Sequence, residues 1–329
     1  MADDALAAGR RLDPAEYEVL PWHADAWHRL MNARARLPHA LLLQGQEGLG
    51  KDIFALRLAR ALLCAQASAA DACGQCHTCR LIDAGNHPDL TRITLEAERT
   101  AITVEQVRGL GDFLALKPHS AAYKVVLLSP AELMNLNAAN ALLKLLEEPP
   151  LGSVFVLVSA RPARLPATIR SRCAPIVFRP PPAAVSQTWL AARLGPAADA
   201  ALAAAGGAPL LAVRLAQTEA LSTMADVRRD LDAIAKGGDP IRVAAQWKSA
   251  GARSMLEAAR RHLAESLRTQ AKSGDASKNR QYFMRLLSFI EVLDTRSQMG
   301  GPLDETLLLE EILIRWADMH TEPVVYTNS

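Results

Sequence analysis

Gly45-Gln46-Glu47-Gly48-Leu49-Gly50-Lys51-Asp52 is the stretch that decides the fold. It follows the apolar run Ala40-Leu-Leu-Leu-Gln44, which has the form of a buried parallel strand. It precedes Lys51 to Leu63, where Ile53, Leu56, Ala59 and Leu63 recur at helical spacing. Strand, glycine-rich turn and helix together form the setting in which backbone N–H groups converge on a phosphate and a helix N-terminus favours an anion. Gly45 and Gly50 supply the backbone freedom, and Lys51 stands where a β/γ-phosphate lysine belongs. The next position should offer a hydroxyl to Mg²⁺, but it is Asp52. A carboxylate there faces the phosphates, at a cost of roughly several kcal/mol unless a metal screens it. The loop is therefore a strong fold marker and a poor nucleotide site.

Further along, Leu90–Thr94, Lys124–Leu128, Ser153–Ser159 and Ile176–Phe178 read as strands. Helices are expected at Asp25–Ala35, before the first strand, and between the strands at Thr103–Leu116 and Asn137–Glu148. Thr103 is the expected N-cap of its helix, with Gln106 three residues on, and Pro149-Pro150 ends the helix from Asn137. Strands alternating with helices over residues 40–178 predict a doubly wound α/β sheet. At Arg179-Pro-Pro-Pro182 the pattern changes, and no strand is legible beyond it. Residues 183–217 suit a small helical unit. Residues 218–320 read as longer helices broken at Gly237–Pro240, Lys272–Lys278 and Met299–Pro302, with an irregular tail from Thr321. The predicted domains are 1–178, 179–217 and 218–329.

An ATPase of this kind also needs an acid at the end of a neighbouring strand, to hold Mg²⁺. The strand Val125–Leu128 ends instead in Ser129-Pro130; Glu132 is the next carboxylate, expected on the following turn. The two departures read as independent losses, so hydrolysis is not expected. A nucleotide-switch ATPase using Lys51 and an Asp52-assisted metal is the competing reading, and the missing strand-end acid tells against it.

Thirty-seven basic and thirty-five acidic residues leave a formal charge of +2. That balance supplies no field to hold a polyanion, and aromatic residues at 5% are too few for base-stacking platforms. A zinc-bearing module that binds DNA by itself is disfavoured on the same ground. The basic run Arg253–Arg268 is an amphipathic helix whose charges read as a solvated face. No stretch has the ~18–20 apolar residues of a membrane span, and the N-terminus lacks the order of a secretory signal, so the cytoplasm is expected.

Four of the five cysteines lie in one cluster, Cys64-x8-Cys73-x2-Cys76-x2-Cys79. Four thiolates close a tetrahedral Zn²⁺ shell and leave no place for water, so the expected metal is structural. Free thiols or a regulatory disulfide are the alternative, disfavoured by spacing and compartment. His77 and His87 are read as surface histidines, and the five tryptophans mostly as helix-packing anchors.

Three further stretches go beyond fold class: Gly85-Asn-His-Pro-Asp89, Asn140-Ala-Leu-Leu-Lys-Leu-Leu-Glu-Glu-Pro-Pro150 and Leu165-Pro-Ala-Thr-Ile-Arg-Ser-Arg-Cys173. With the degenerate loop and the cysteines, they make the chain closely resemble the AAA+ clamp-loader family of bacterial DNA polymerase III. Within that family it is similar to the subunits that have lost the motor residues. Motif coverage runs from Pro21 to Pro182. The resemblance implies a RecA-like α/β domain with a zinc-binding insertion, a helical lid and a helical collar joining five subunits. It implies a chain without polymerase or ATPase activity of its own, to which ATP does not bind. Such a subunit helps load the sliding clamp onto primed DNA, with delta and gamma/tau subunits as partners and primer–template DNA met through the assembly. By the same resemblance Arg172 of Ser171-Arg-Cys173 is an arginine finger delivered in trans to a neighbouring ATPase subunit. The lid's own nucleotide-sensing arginine would fall near Leu210. The alternative of a gamma/tau-like switch ATPase with an unusual Mg²⁺ site carries over.

Overall fold

Five short runs rich in Val, Leu and Ile build one sheet: β1 Ala40–Gln44, β2 Leu90–Ile93, β3 Lys124–Leu128, β4 Ser153–Ser159 and β5 Ala174–Val177. Every pairing is parallel and the order is β2-β3-β4-β1-β5, so β4 lies between β1 and β3. β3 and β4 are buried along their whole length, as unbroken apolar strands inside a parallel sheet must be. β5 is an edge strand that alternates in exposure, and it starts two residues before the predicted position. The computed structural model describes residues 18–67, 71–96, 99–119, 122–218, 220–273, 285, 288, 289 and 305–321. Residues 1–17, the predicted break at Met299–Pro302, most of the predicted break at Lys272–Lys278 and the tail beyond Thr321 lie outside them.

Alternation along the strands feeds two faces. Ala40 and Leu42, Val126 and Leu128, and Phe155 and Leu157 point to one core, covered by α4 (Val104–Ala115) and α5 (Leu136–Glu147). Thr103 caps α4 in a capping box: its side chain accepts from the N3 backbone, while the Gln106 side chain accepts from the Thr103 N–H at 2.9 Å. Asn135 caps α5 by accepting from the Ala138 N–H at 2.8 Å.

α2 (Lys51–Leu63) packs against β1, β3 and β4, and it is buried on nearly all sides rather than along the single predicted stripe. The cause is a second cover. The Arg57 guanidinium stacks on the ring of Trp27, from α1 (Ala24–Asn32), at 3.8 Å, and pairs with Asp71 at 2.8 Å.

The chain divides into two compact units, Met1–Val185 and Ser186–Ser329. α6 (Ala167–Arg170) precedes β5, and α7 (Ala183–Leu194) crosses the boundary. The second unit is helical throughout its described residues: α8 Ala198–Ala204, α9 Pro209–Ala216, α10 Ala220–Ala235, α11 Pro240–Ser273 and a last helix, Glu305–Thr321. Gly251, at φ 104°, breaks α11 into two helices, and the basic run begins just after that break. Its apolar members Met255, Leu256, Ala259, Leu263 and Leu267 are buried, while Arg253 and Arg261 pair with Glu257. The fully buried Trp247 donates Nε1–H to Asp230, and Trp316 donates to the Leu231 carbonyl, each at 2.9 Å. Among the described residues no single helix is long and apolar enough to cross a membrane.

Candidate functional site

The loop between β1 and α2 is shaped by two glycines. A Cβ at Gly45 would collide with the Phe178 carbonyl oxygen, because the chain after β5 passes directly over it. Gly50 takes a left-handed conformation, φ 79°, as the N-cap residue of α2. Lys51 follows, 4% exposed, and donates from Nζ to the Gln46 carbonyl of its own loop at 2.9 Å. Burial lowers its pKa, opposed by the carboxylates of Asp52, Glu132 and Glu47.

Asp52 and Ser129, 77 residues apart, meet. The Ser129 hydroxyl donates to Asp52 Oδ1 at 2.6 Å. The two departures from an ATPase pattern therefore meet in one hydrogen-bonded pair. The carboxylate that belongs at the strand end sits in the loop, the hydroxyl that belongs in the loop sits at the strand end, and they satisfy each other. Glu132 lies on a 3₁₀ turn, Ala131–Leu133. Its Oε1 accepts from the N–H groups of Ala160 and Arg161, at 3.0 and 3.2 Å, and so brackets the end of β4. Ser159 is fully buried there, accepting from the Arg161 N–H at 3.2 Å.

Two residues hold the loop from outside: Trp22, read in the sequence with the other tryptophans as mostly helix-packing anchors, and His23, which the sequence did not single out. Trp22 Nε1–H and His23 Nε2–H both donate to the Leu49 carbonyl, at 2.9 and 2.8 Å. A carbonyl only accepts, so the Nε2 proton of His23 is fixed. Burial, opposed by the Leu49 bond and reinforced by Arg57, lowers its pKa to about 4. His23, Phe54 and Phe178 pack edge-to-face with centroids 5.0 to 5.3 Å apart. The only local sign was an aromatic pair, Trp22-His23, placed shortly before the first strand.

At the other end of α2, Cys64 begins the turn that returns through Cys73 to Cys76 and Cys79. Cys76 is the N-cap of α3 (His77–Asp83), a short helix the sequence periodicity did not announce. The four sulfurs all lie within 4.8 Å of one another, with Cys64 Sγ 3.6 Å from Cys73 Sγ and 3.8 Å from Cys76 Sγ. Those separations are too long for a disulfide, and all four are free thiols. They match the edge of a tetrahedron, about 3.8 Å, that follows from four Zn–S bonds of about 2.3 Å. Backbone N–H groups aim at the sulfurs as well: Gln66 and Cys73 at Cys64, Cys76 at Cys73, and Cys79 at Cys76. The group fits a metal ion. Burial pushes the Cys76 thiol up, but hydrogen bonds from Thr78 and Cys79 outweigh it and bring the pKa down to about 5, whereas burial raises Cys79.

Neither histidine belongs to this group. His77 is exposed; His87, contrary to the surface reading, is 4% exposed and accepts the Asp89 N–H on Nδ1 at 3.0 Å. Asp89 is fully buried, accepts the His119 N–H, and faces Lys124 Nζ at 3.6 Å, which makes Gly85–Asp89 a structural latch.

Ser171-Arg172-Cys173 follows α6. Cys173 is buried in the α4/α5 core, and burial raises its thiol pKa to about 11. That anchor turns Arg172 outward. Arg172 pairs through Nη2 with Glu147 at 2.7 Å, and its Nη1 donates to the Thr168 carbonyl at 3.0 Å and to the Ser171 hydroxyl at 3.4 Å. Arg170 is different in kind, since one of its nitrogens caps the carbonyls of Pro162, Ala163 and Leu165 and so fixes the preceding turn. Leu210 lies in the first turn of α9.

A parallel sheet in this order, a glycine loop leading into α2, and a helical C-terminal part define an AAA+ module, here with the loop hydroxyl and strand-end acid exchanged. The family described as "DNA polymerase III, delta subunit" matches residues 23–182. The chain is 36% identical to DNA polymerase III subunit delta' of Yersinia pestis over 321 residues, 90% of this chain and 94% of that one. It is 45% identical to subunit delta' of Pseudomonas aeruginosa over 202 residues, a match spanning 60% of this chain and 61% of that one. A solved DNA polymerase III gamma-subunit-related protein of Thermotoga maritima aligns over 90% of this chain and 99% of its own, at 18% identity and a TM-score of 0.48. The chain belongs to the delta' family of DNA polymerase III subunits.

Proposed function

We propose that this chain is the non-hydrolysing subunit of the DNA polymerase III clamp loader. In that role it helps place the sliding clamp on primed DNA and presents Arg172 to a nucleotide held by a neighbouring ATPase subunit. The observation that carries the first part is the Asp52–Ser129 hydrogen bond of 2.6 Å. It sets a carboxylate where the phosphates would lie and engages it with the Ser129 hydroxyl, while β3 ends without an acid of its own, an arrangement that disfavours both Mg²⁺ and a triphosphate. Supporting the second part, Arg172 keeps an exposed guanidinium on a backbone pinned by the buried Cys173. A guanidinium delivered in trans stabilises charge on a transferring phosphoryl group. The helical unit is read as a lid over 179–217 followed by a collar over 218–329 that joins other subunits, delta and gamma/tau among them. Cys64, Cys73, Cys76 and Cys79 would hold a structural Zn²⁺, whose contribution is to close the turn between α2 and α3.

Titration of the isolated protein with a fluorescent ATP analogue, with and without Mg²⁺, tests the reading. No binding up to millimolar nucleotide is expected. Micromolar, Mg²⁺-dependent binding abolished by Lys51→Ala would replace it with a nucleotide-switch ATPase. In the reconstituted complex, Arg172→Ala should lower DNA-stimulated ATP turnover while the assembly stays intact; unchanged turnover removes the finger.

A further inference from the structure

We infer that Glu147 is a positioning residue for Arg172, holding its guanidinium in the plane from which it meets the phosphoryl oxygens of a nucleotide bound to the neighbouring subunit. The inference rests on the role proposed for Arg172 and deepens it. Glu147 is the last residue of α5, and Arg172 lies 25 residues later, beyond β4 and α6. Their 2.7 Å contact bridges two elements whose backbones are fixed independently, α5 by its Asn135 cap and its buried Leu142 and Leu146, and the arginine turn by Ile169 and Cys173. Only side chains are left to move.

The donor count decides what the contact can do. A guanidinium has five N–H donors in a rigid fork. Glu147, the Thr168 carbonyl and the Ser171 hydroxyl take one each, at 2.7, 3.0 and 3.4 Å, and engage both terminal nitrogens. Two N–H groups remain, the one on Nε among them, on a side chain still 36% exposed. Three fixed contacts and two unengaged donors on a part-exposed side chain describe an arginine oriented for an anion that this chain does not itself bind.

The position of the carboxylate points the same way. A helix C-terminus carries partial negative charge and draws cations, yet α5 ends in Glu147 with Glu148 as its C-cap. Arg172 alone would suit that end; the acid adds nothing to capping. Both partners are exposed, 36% and 50% by side chain, and exposed ion pairs contribute little to folding stability. Orientation is the property left for the pair to supply, because a long flexible cation must otherwise be ordered at each encounter.

The test uses the complex reconstituted with its partner subunits and primed DNA. Glu147→Gln, which keeps shape and removes charge, should lower kcat for ATP by about threefold to tenfold, leave KM unchanged and leave the melting temperature of the chain unchanged. Glu147→Asp should recover part of the loss, and Glu147→Gln in an Arg172→Ala background should cost nothing more. Wild-type turnover in Glu147→Gln, a rise in turnover, or a full additional loss in the double variant each overturns the inference. If Arg172→Ala lowers turnover and Glu147→Gln does not, only the role of Glu147 fails. If Arg172→Ala has no effect, the arginine reading fails and this one with it.

Discussion

His23 illustrates how one buried ring couples a loop to solvent pH. Its Nε2 proton is committed to the Leu49 carbonyl, and its pKa lies near 4, against about 6.5 in an unfolded chain. Between those values the unfolded chain binds the extra proton and the folded chain does not. Stability is therefore full above pH 6.5 and falls as pH drops towards 4, by on the order of 3 kcal/mol from this group. His87 and His262 shift in the same direction and add to the slope. His23→Gln, whose Nε2 can still donate to Leu49, should remove the His23 share; chemical denaturation at pH 7.5 and pH 5 checks it, and an unchanged slope would put the titration elsewhere. Residue identities at the loop were legible because Gly45, Gly50 and Lys51 are contiguous in sequence. Their contacts were not, since Ser129 reaches Asp52 across 77 positions and Glu147 reaches Arg172 across 25. No local periodicity encodes such a meeting.

Among the elements, those that bury apolar residues at a regular period were readable, and those held by other forces were not. β1, β3 and β4 coincide with their predicted runs, and the Thr103–Gln106 box fixed the start of α4. Thr103→Ala should cost about 1 kcal/mol, visible as a small drop in melting temperature without loss of helix count elsewhere. α3 escaped because its ends are set by cysteine placement, and β5 shifted because an edge strand alternates in exposure and carries Pro175. The metal reading makes an element-level prediction. Native mass spectrometry should find one Zn²⁺ per chain, and Cys76→Ser or a strong chelator should release it. Protease sites should then open between residues 64 and 83 while the parallel sheet persists. The ion pairs Arg57–Asp71 and Arg60–Asp83, whose arginines lie on α2, would slow that opening without preventing it.

At the scale of the molecule, the change from strands to helices around the Pro-rich stretch at 180–182 places the α/β architecture and the helices in different compact units. A fragment ending at Pro182 should fold cooperatively and keep the metal; a fragment without a melting transition would tie the sheet to the helical half. The exchange at Asp52 and Ser129 also bears on descent. Asp52→Thr alone leaves two hydroxyls and no acid for Mg²⁺, and Ser129→Asp alone sets two carboxylates against each other where one bond of 2.6 Å now stands. Either single step is a loss, and only both together would recreate the metal-holding pair. The pair therefore acts as a ratchet: no single substitution leads from it, step by favourable step, back to a metal-holding motor.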